Sequence, residues 1–260
     1  MPDSTTPAVS LIPTPPRNMT AASPADWLKA RRALADEETA LDQQRNAVLL
    51  KRLSLPRLKI EKDYVFETSQ GKKSLGDLFD GRSQLLVYHF MFGPEWSQGC
   101  HGCSFFADGF DGTLAHLNNH DVTLTCVSRA PLTKIEAYKQ RMGWHFPWAS
   151  SFGSDFNFDF HVSFTKEELA GETVEFNYKR IPVAEAHDEL PGMSAFHKDA
   201  DGSIYLTYGN FGTGTDDGLT TMMLLDMAPK GRNEQKMMDF VKRHDEYAQA
   251  QPKLAHNCCA

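Results

Sequence analysis

Eight consecutive residues, Leu85-Leu86-Val87-Tyr88-His89-Phe90-Met91-Phe92, make a nearly unbroken apolar run bounded by Gly81 and by Gly93-Pro94. A run this long without polar alternation, rich in branched and aromatic side chains, suits a central strand buried on both faces. After a loop comes an amphipathic helix with Phe106, Phe110, Leu114 and Leu117 on one side, weakened by Gly109 and Gly112. Val122 to Val127 reads as a second buried strand, and Pro131 to Met142 as a second helix carrying Ile135, Tyr138 and Met142 on one face. Strand, helix, strand, helix in that order predicts a parallel α/β unit, with ligand sites at the carboxyl ends of the strands.

Downstream, Val174, Phe176 and Tyr178 alternate as in a half-buried strand. Ser194 to His197 and Ser203 to Leu206 flank Lys198-Asp199-Ala200-Asp201-Gly202, which predicts an antiparallel hairpin and therefore a mixed sheet. A glycine-rich loop over Gly209 to Gly218 precedes Thr220 to Met227, and a last helix is expected near Asn233 to Tyr247. Upstream, Asp63 to Phe66 is strand-like, Gln70-Gly71-Lys72 a turn, and Ser74 to Phe79 a short helical piece. Ser23-Pro24-Ala25-Asp26 looks like a helix start, with an N-cap serine, proline at the first helical position and an acid in the first turn. That helix should run to about Arg52, before Pro56. Trp27, Leu34, Leu41 and Val48 recur every seven residues, but the companion positions hold Ala30, Glu37, Gln44 and Lys51, half of a coiled-coil seam. The stripe is expected to pack on its own domain or on a second subunit, which allows a homodimer.

Composition narrows the function classes. With 260 residues, 41% of them hydrophobic and 23% charged, the chain can bury a sizeable core without a disulfide framework. The net charge of −7 offers no electrostatic footprint for nucleic acid or an anionic membrane. No secretory signal and no long apolar span is visible, so the expected location is the cytoplasm, where a C-x-x-C is more often catalytic or metal-binding than a staple.

The run Gly93-Pro94-Glu95-Trp96-Ser97-Gln98-Gly99-Cys100-His101-Gly102-Cys103-Ser104 leaves the buried strand and enters the helix. At a helix N-terminus, free backbone N–H groups and the positive end of the dipole favour thiolate over thiol. Cys100, on the loop side, is the expected attacking sulfur and Cys103, one turn on, the resolving one. A protonated His101 beside them would stabilise the thiolate further. A zinc site would need two more ligands, for which only Cys258, Cys259 and His256 offer themselves, and no metal or prosthetic group is required by this chemistry. Trp96, Trp144 and Trp148 are candidates for the walls of a substrate cleft, and Arg129 for holding a peroxide or thiolate by charge. Cys126 reads as a buried small hydrophobe, and His89 and His161 as core or rim histidines. Gly209-Asn210-Phe211-Gly212-Thr213-Gly214 is no dinucleotide fingerprint, since it does not open a helix within a βαβ unit.

These residues carry a resemblance. Tyr88 through Trp96, Gly99-Cys100 through Cys103-Ser104-Phe105, Val127 through Leu132, Arg141 through Trp144, Phe146-Pro147-Trp148 and Ser150 through Asn157 together resemble the thioredoxin-like family called domain of unknown function 899. Further echoes extend the likeness over about residues 23 to 248. The resemblance implies a thioredoxin-like mixed sheet flanked by helices, in peroxiredoxin-like order, with an added N-terminal helix. It divides the chain into a tail over 1–22, the helix over 23–56, the thioredoxin-like domain with insertions over 57–248 and a second tail over 249–260. Members are described as predicted dithiol-disulfide oxidoreductases, which implies a disulfide substrate, protein or small molecule, and a thiol reductant. His101-Gly102 stands where many members carry Pro-Ser and thioredoxin carries Gly-Pro, so the redox poise is not transferable. The cis-proline of thioredoxins precedes an antiparallel strand, here expected near Ser194, with Pro191 three residues earlier. The segment also resembles peroxiredoxins, with Phe146-Pro147 placed like their Phe-Pro loop and Ser97 three residues before Cys100, although Gly93 occupies the position of their proline. Disulfide exchange is thus the leading expectation; a thiol peroxidase and a non-catalytic binding module are its alternatives.

Overall fold

The computed structural model describes residues 20–211, 218–234, 236 and 238–247. Cys258, Cys259, His256 and most of both tails lie outside the described residues.

Helix α1 (Pro24–Leu53) starts where expected: the Asp26 backbone N–H donates to the Ser23 hydroxyl at 3.2 Å, and Lys51 and Arg52 complement the dipole at the other end. The expected packing of its stripe on the domain is not observed. Among the described residues no α1 side chain is buried; Trp27 is 62% and Leu34 50% exposed. A one-residue-per-heptad stripe is too narrow to hold a helix on a sheet. Its foot is tied down by the Arg52 guanidinium, 4.4 Å above the Tyr208 ring.

Among the described residues eight strands form one mixed sheet: β1 (Leu58–Lys59), β2 (Val65–Thr68), β3 (Gly71–Ser74), β4 (Gln84–His89), β5 (Val122–Ser128), β6 (Trp148–Ser150), β9 (Gly192–Lys198) and β10 (Ile204–Phe211). Their order is β1-β10-β9-β4-β5-β6-β2-β3, while β7 (Thr173–Phe176) and β8 (Lys179–Pro182) make a separate hairpin. Strand β4 lies at the centre, with β5 parallel on one side and β9 antiparallel on the other. The path β4, helices α2 (His101–Ala107) and α3 (Leu114–Asn119), β5, α4 (Leu132–Met142), then the hairpin β9–β10 and α7 (Thr220–Met227), is a thioredoxin-like core. The insertion after β6 carries two short helices, α5 (Phe156–Asp159) and α6 (Lys166–Leu169), and the β7–β8 hairpin.

Alternation along β4 explains the central position. Leu85 and Val87 enter a core with Phe66, Phe79, Phe156 and Phe196, while Tyr88 and, beyond the strand, Phe90 and Phe92 enter the opposite core with Phe106, Tyr138 and Trp148. The helix after the cysteines breaks at Ala107, beside Gly109, and resumes at Leu114. The β9–β10 turn uses Gly202 at φ +87°, a conformation that favours glycine.

Several expectations are corrected. Strand β9 begins at Gly192, which pairs with His89, so Pro191 immediately precedes it; no peptide bond among the described residues is cis. Gly209 to Phe211 belong to β10 rather than to a loop, and residues 212–217 lie outside the described ones. Tyr178 sits in the β7–β8 turn at φ +62°, and His161, at φ +52° after α5, is exposed rather than in the core. The last helix is absent from the described residues of 233–247: Asn233 and Met238 adopt positive φ, incompatible with helix, and only His244–Glu246 makes a 3₁₀ turn.

Candidate active site

After His89 the chain continues extended. The Phe90 N–H donates to the Val127 carbonyl (3.0 Å), the Ala130 N–H to the Phe92 carbonyl (2.8 Å), and the Cys100 N–H returns to the Met91 carbonyl (3.0 Å). The loop 93–99 therefore closes on the strand it left and delivers Cys100 to the N-cap of α2, at the carboxyl end of the central strand. Lys134 pins the loop through the Pro94 carbonyl at 2.6 Å, and the Trp96 indole N–H donates to Asp188 at 3.0 Å. Gly99 admits no side chain: a Cβ there would lie 2.6 Å from Phe90 Cε1 and 2.9 Å from Tyr138 Cε1.

Both cysteines are free thiols, Cys100 half-buried and Cys103 only 2% exposed. The Cys103 thiol, donating to the Cys100 sulfur, lowers the Cys100 pKa against an opposing burial effect. The backbone N–H groups of Cys103 and Gly102 and the charge of His101 add to it, to about 6. The N–H groups act as the helix N-terminus does on any anion, although none closes a full capping hydrogen bond to the side chain. Burial pushes Cys103 well above the ordinary thiol value, with Cys100 adding to the rise, and the Tyr88 hydroxyl and the Met91 N–H partly offset it. The pair is electronically unequal: one sulfur is poised as an anion, the other holds its proton.

Cys100, His101 and Cys103 stand together at the start of α2, with His101 exposed. Trp96 is half-buried on the adjoining loop, and Ser97 is exposed, its hydroxyl without a hydrogen-bond partner among the described residues. The other candidates are largely buried or border a separate cleft that does not include the cysteines. Trp144 and Trp148 are core residues, 7% and 4% exposed, their indole N–H groups donating to Asp108 (2.9 Å) and to the Ser128 hydroxyl (3.0 Å). Pro147 is exposed and borders, with Thr125, Lys139 and His145, a separate cleft of about 290 Å³. Arg129 is partly buried and its charge is already paired. Its Nε donates to Glu189 at 2.7 Å and its guanidinium stacks 4.5 Å from the Phe158 ring. Glu189 is itself 1% exposed and accepts from the Ser163 hydroxyl at 2.6 Å.

Four residues behind the cysteines were not singled out by sequence: Tyr88, Ser104, Tyr138 and Arg243. Ser104 donates through its backbone N–H (2.9 Å) and its hydroxyl (2.7 Å) to the Cys100 carbonyl. Tyr138 lies 2.7 Å from that hydroxyl, and Arg243 Nε donates to Tyr138 Oη at 2.9 Å. Position four after Cys100 was a usable signal for Ser104; Arg243, remote in sequence, had none. Among the described residues no group of three His, Cys, Asp or Glu side chains could hold a metal ion, and no helix is long and apolar enough to cross a membrane.

A family profile described as "Bacterial protein of unknown function (DUF899)" matches residues 16–247. No curated protein matches the chain. Among solved structures it is similar to peroxiredoxin Q of Xanthomonas campestris, at 13% identity and a TM-score of 0.41, over 64% of this chain and 91% of that one. It is also similar to the mitochondrial 2-Cys peroxiredoxin of Plasmodium falciparum, at 12% identity and a TM-score of 0.40, over 67% and 97%. Likenesses of that size add nothing to the sheet topology described above.

Proposed function

This chain belongs to the bacterial family DUF899, and on that footing we propose that it is a thiol-disulfide oxidoreductase working through Cys100 and Cys103. The observation that carries the reading is the placement of two free thiols on one helix start, Cys100 half-buried at the N-cap of α2 and Cys103 buried one turn on, which displaces Cys100 down to about 6 and Cys103 well up. A nucleophile must be anionic at working pH, whereas a resolving thiol must keep its proton until the mixed disulfide forms.

The Cys100 thiolate attacks one sulfur of a substrate disulfide, forming a Cys100–substrate bond and expelling the other substrate sulfur as thiolate. Cys103 then loses its proton and attacks the Cys100 sulfur, breaking the mixed disulfide. The products are a dithiol substrate and a Cys100–Cys103 disulfide, two electrons having passed to the substrate; an external thiol reductant returns them. The same steps run backwards oxidise a dithiol, and the direction follows from the potentials. A stabilised Cys100 thiolate favours the reduced protein and so makes the pair more oxidising. For the thiol-peroxidase alternative, Arg129, the candidate for holding a peroxide by charge, is already paired with Glu189, which favours exchange.

Equilibration of the full chain in glutathione buffers, followed by mass analysis of the 100–103 peptide, tests the reading together with turnover of insulin disulfides. A reversible two-electron couple and activity abolished in Cys100→Ser are expected. Absence of both would refute it and leave the two alternatives, which peroxide consumption with a sulfenic acid at Cys100 separates.

A further inference from the structure

The segment that ends the described chain reaches the site from the far end of the sequence. Met238, Phe240 and Val241 pack on the core cluster around α2, with Phe240 edge-on to Phe105 at 6.2 Å between ring centroids. A Cβ placed on Gly102 would lie 3.4 Å from Met238 Cε and 3.8 Å from the Cys100 sulfur, so this segment borders the nucleophile itself. Three polar anchors follow: Arg243 on the cysteine loop, His244 on Asp108 (2.6 Å), and Asp245 on Arg141 (2.7 and 3.0 Å).

Arg243 differs from the other anchors in what it holds. Its side chain is 11% exposed. Nε donates to the Gly99 carbonyl (3.1 Å) and to Tyr138 Oη (2.9 Å), Nη2 also donates to the Gly99 carbonyl, and Nη1 pairs with Glu246 at 3.0 Å. The directions of the remaining bonds are then forced. The Ser104 hydroxyl spends its proton on the Cys100 carbonyl, so between Tyr138 and Ser104 the phenol must donate, and its oxygen is left to accept from Arg243. A one-way donor chain runs from guanidinium to phenol to serine to the Cys100 carbonyl, while the same guanidinium holds the Gly99 carbonyl directly. Both carbonyls flanking the Cys100 Cα are thereby tied to one cation, which holds Cys100 at the φ −56°, ψ 135° it needs as N-cap.

We infer that Arg243 is a positioning residue for the nucleophilic thiol, fixing Cys100 at the N-terminus of α2 by binding the peptide groups on either side of it. The inference rests on the assignment of Cys100 as nucleophile. It goes beyond stapling the C-terminal segment, which Arg141, Asp245, His244 and Asp108 also do. The charged or titratable groups around the arrangement include Cys103, His101, Tyr88, Tyr138, Arg141, Asp245 and Glu246.

Full-length wild type and the variants Arg243→Gln, Arg243→Lys and Asp245→Asn are alkylated with iodoacetamide from pH 4 to 10, and the Cys100 peptide is quantified by mass. Wild type should inflect near 6. Arg243→Gln should inflect higher by about one unit or more, an about tenfold smaller thiolate population on the acid side. Arg243→Lys, which can reach one carbonyl but not form the fork, should fall between the two. Asp245→Asn cuts another anchor of the same segment without touching Gly99, and should leave the inflection in place. An unmoved inflection in Arg243→Gln, or an equal shift in Asp245→Asn, would overturn the positioning role. If Arg243→Gln does not fold, an Arg243→Lys profile identical to wild type overturns it. Alkylation needs no turnover: wild type inflecting at the ordinary thiol value would show that the assignment of Cys100 had failed, whereas a low wild-type value with indifferent Arg243 variants would sink this inference alone.

Discussion

Replacing Cys103 by alanine removes the donor that contributes most to lowering the Cys100 pKa. A hydrogen bond to a charged group is worth about 1.5–3 kcal/mol, which at 1.36 kcal/mol per unit corresponds to an upward shift of about 1–2 units. With the wild-type value at about 6, the thiolate fraction at pH 7 is about 90%, and in Cys103→Ala it should fall to about 10–50%. Nucleophilicity moves the other way: with a Brønsted slope of about 0.4–0.5, a rise of about 1.5 units makes each thiolate about fivefold faster. The two effects nearly cancel at neutrality, so a single rate at pH 7 would mislead. The full pH profile of iodoacetamide alkylation separates them. Cys103→Ala should react about fivefold more slowly near pH 5.5, cross the wild-type curve near neutrality and plateau about fivefold higher above pH 9. A variant inflecting where wild type does would refute the claim that Cys103 sets the poise of Cys100.

His89 supplies a second test. It is 1% exposed, its Nε2 lies 2.8 Å from the Ser194 hydroxyl, its Nδ1 is unpartnered, and burial pushes its pKa down to about 3. Between the unfolded value of 6.5 and about 3 the unfolded chain binds a proton that the fold excludes, so stability should fall with acidity by up to about 1.4 kcal/mol per pH unit. In His89→Gln the denaturation midpoint should fall less steeply from pH 6 to 4; parallel slopes would count against burial of a neutral imidazole. Gly99→Ala should cost about 1–3 kcal/mol in urea denaturation through overpacking on Phe90 and Tyr138, and should slow Cys100 alkylation; a neutral result would mean that the loop has room to shift. Leu34→Ala on α1 should change stability by less than about 0.5 kcal/mol at low protein concentration, because Leu34 is half exposed and no α1 side chain is buried in the described fold. A larger loss would reveal a covering surface.

The secondary structure legible in the sequence was the part with local causes. The β4, β5 and α4 patterns coincide with observed elements because each records burial within its own residues, as Ile135, Tyr138 and Met142 do along α4. The strand-to-helix junction placed Cys100 and Cys103 together for the same reason. What failed depended on distant partners. Residues 238–247 have helical composition, but their apolar members pack on the cluster around α2 and their charged members pair with Arg141 and Asp108, and Met238 takes a positive φ. Arg129 looked like an anion holder because Glu189, sixty residues away, was invisible as its partner. Trp144 and Trp148 look like cleft walls beside Phe146-Pro147, yet both rings are buried, with their N–H groups held by Asp108 and by the buried Ser128 hydroxyl.

Buried in the core, Cys126 has a use of its own. It is 0% exposed in the middle of β5, hydrogen-bonded through its backbone to the Pro147 carbonyl, and burial holds its thiol well above the ordinary value. No reagent reaches that sulfur until β5 separates from its neighbours, so its labelling rate measures how often the sheet opens. Within one molecule, then, Cys100 reports chemistry and Cys126 reports breathing. Any variant that slows the first while hastening the second has loosened the scaffold rather than altered the redox centre.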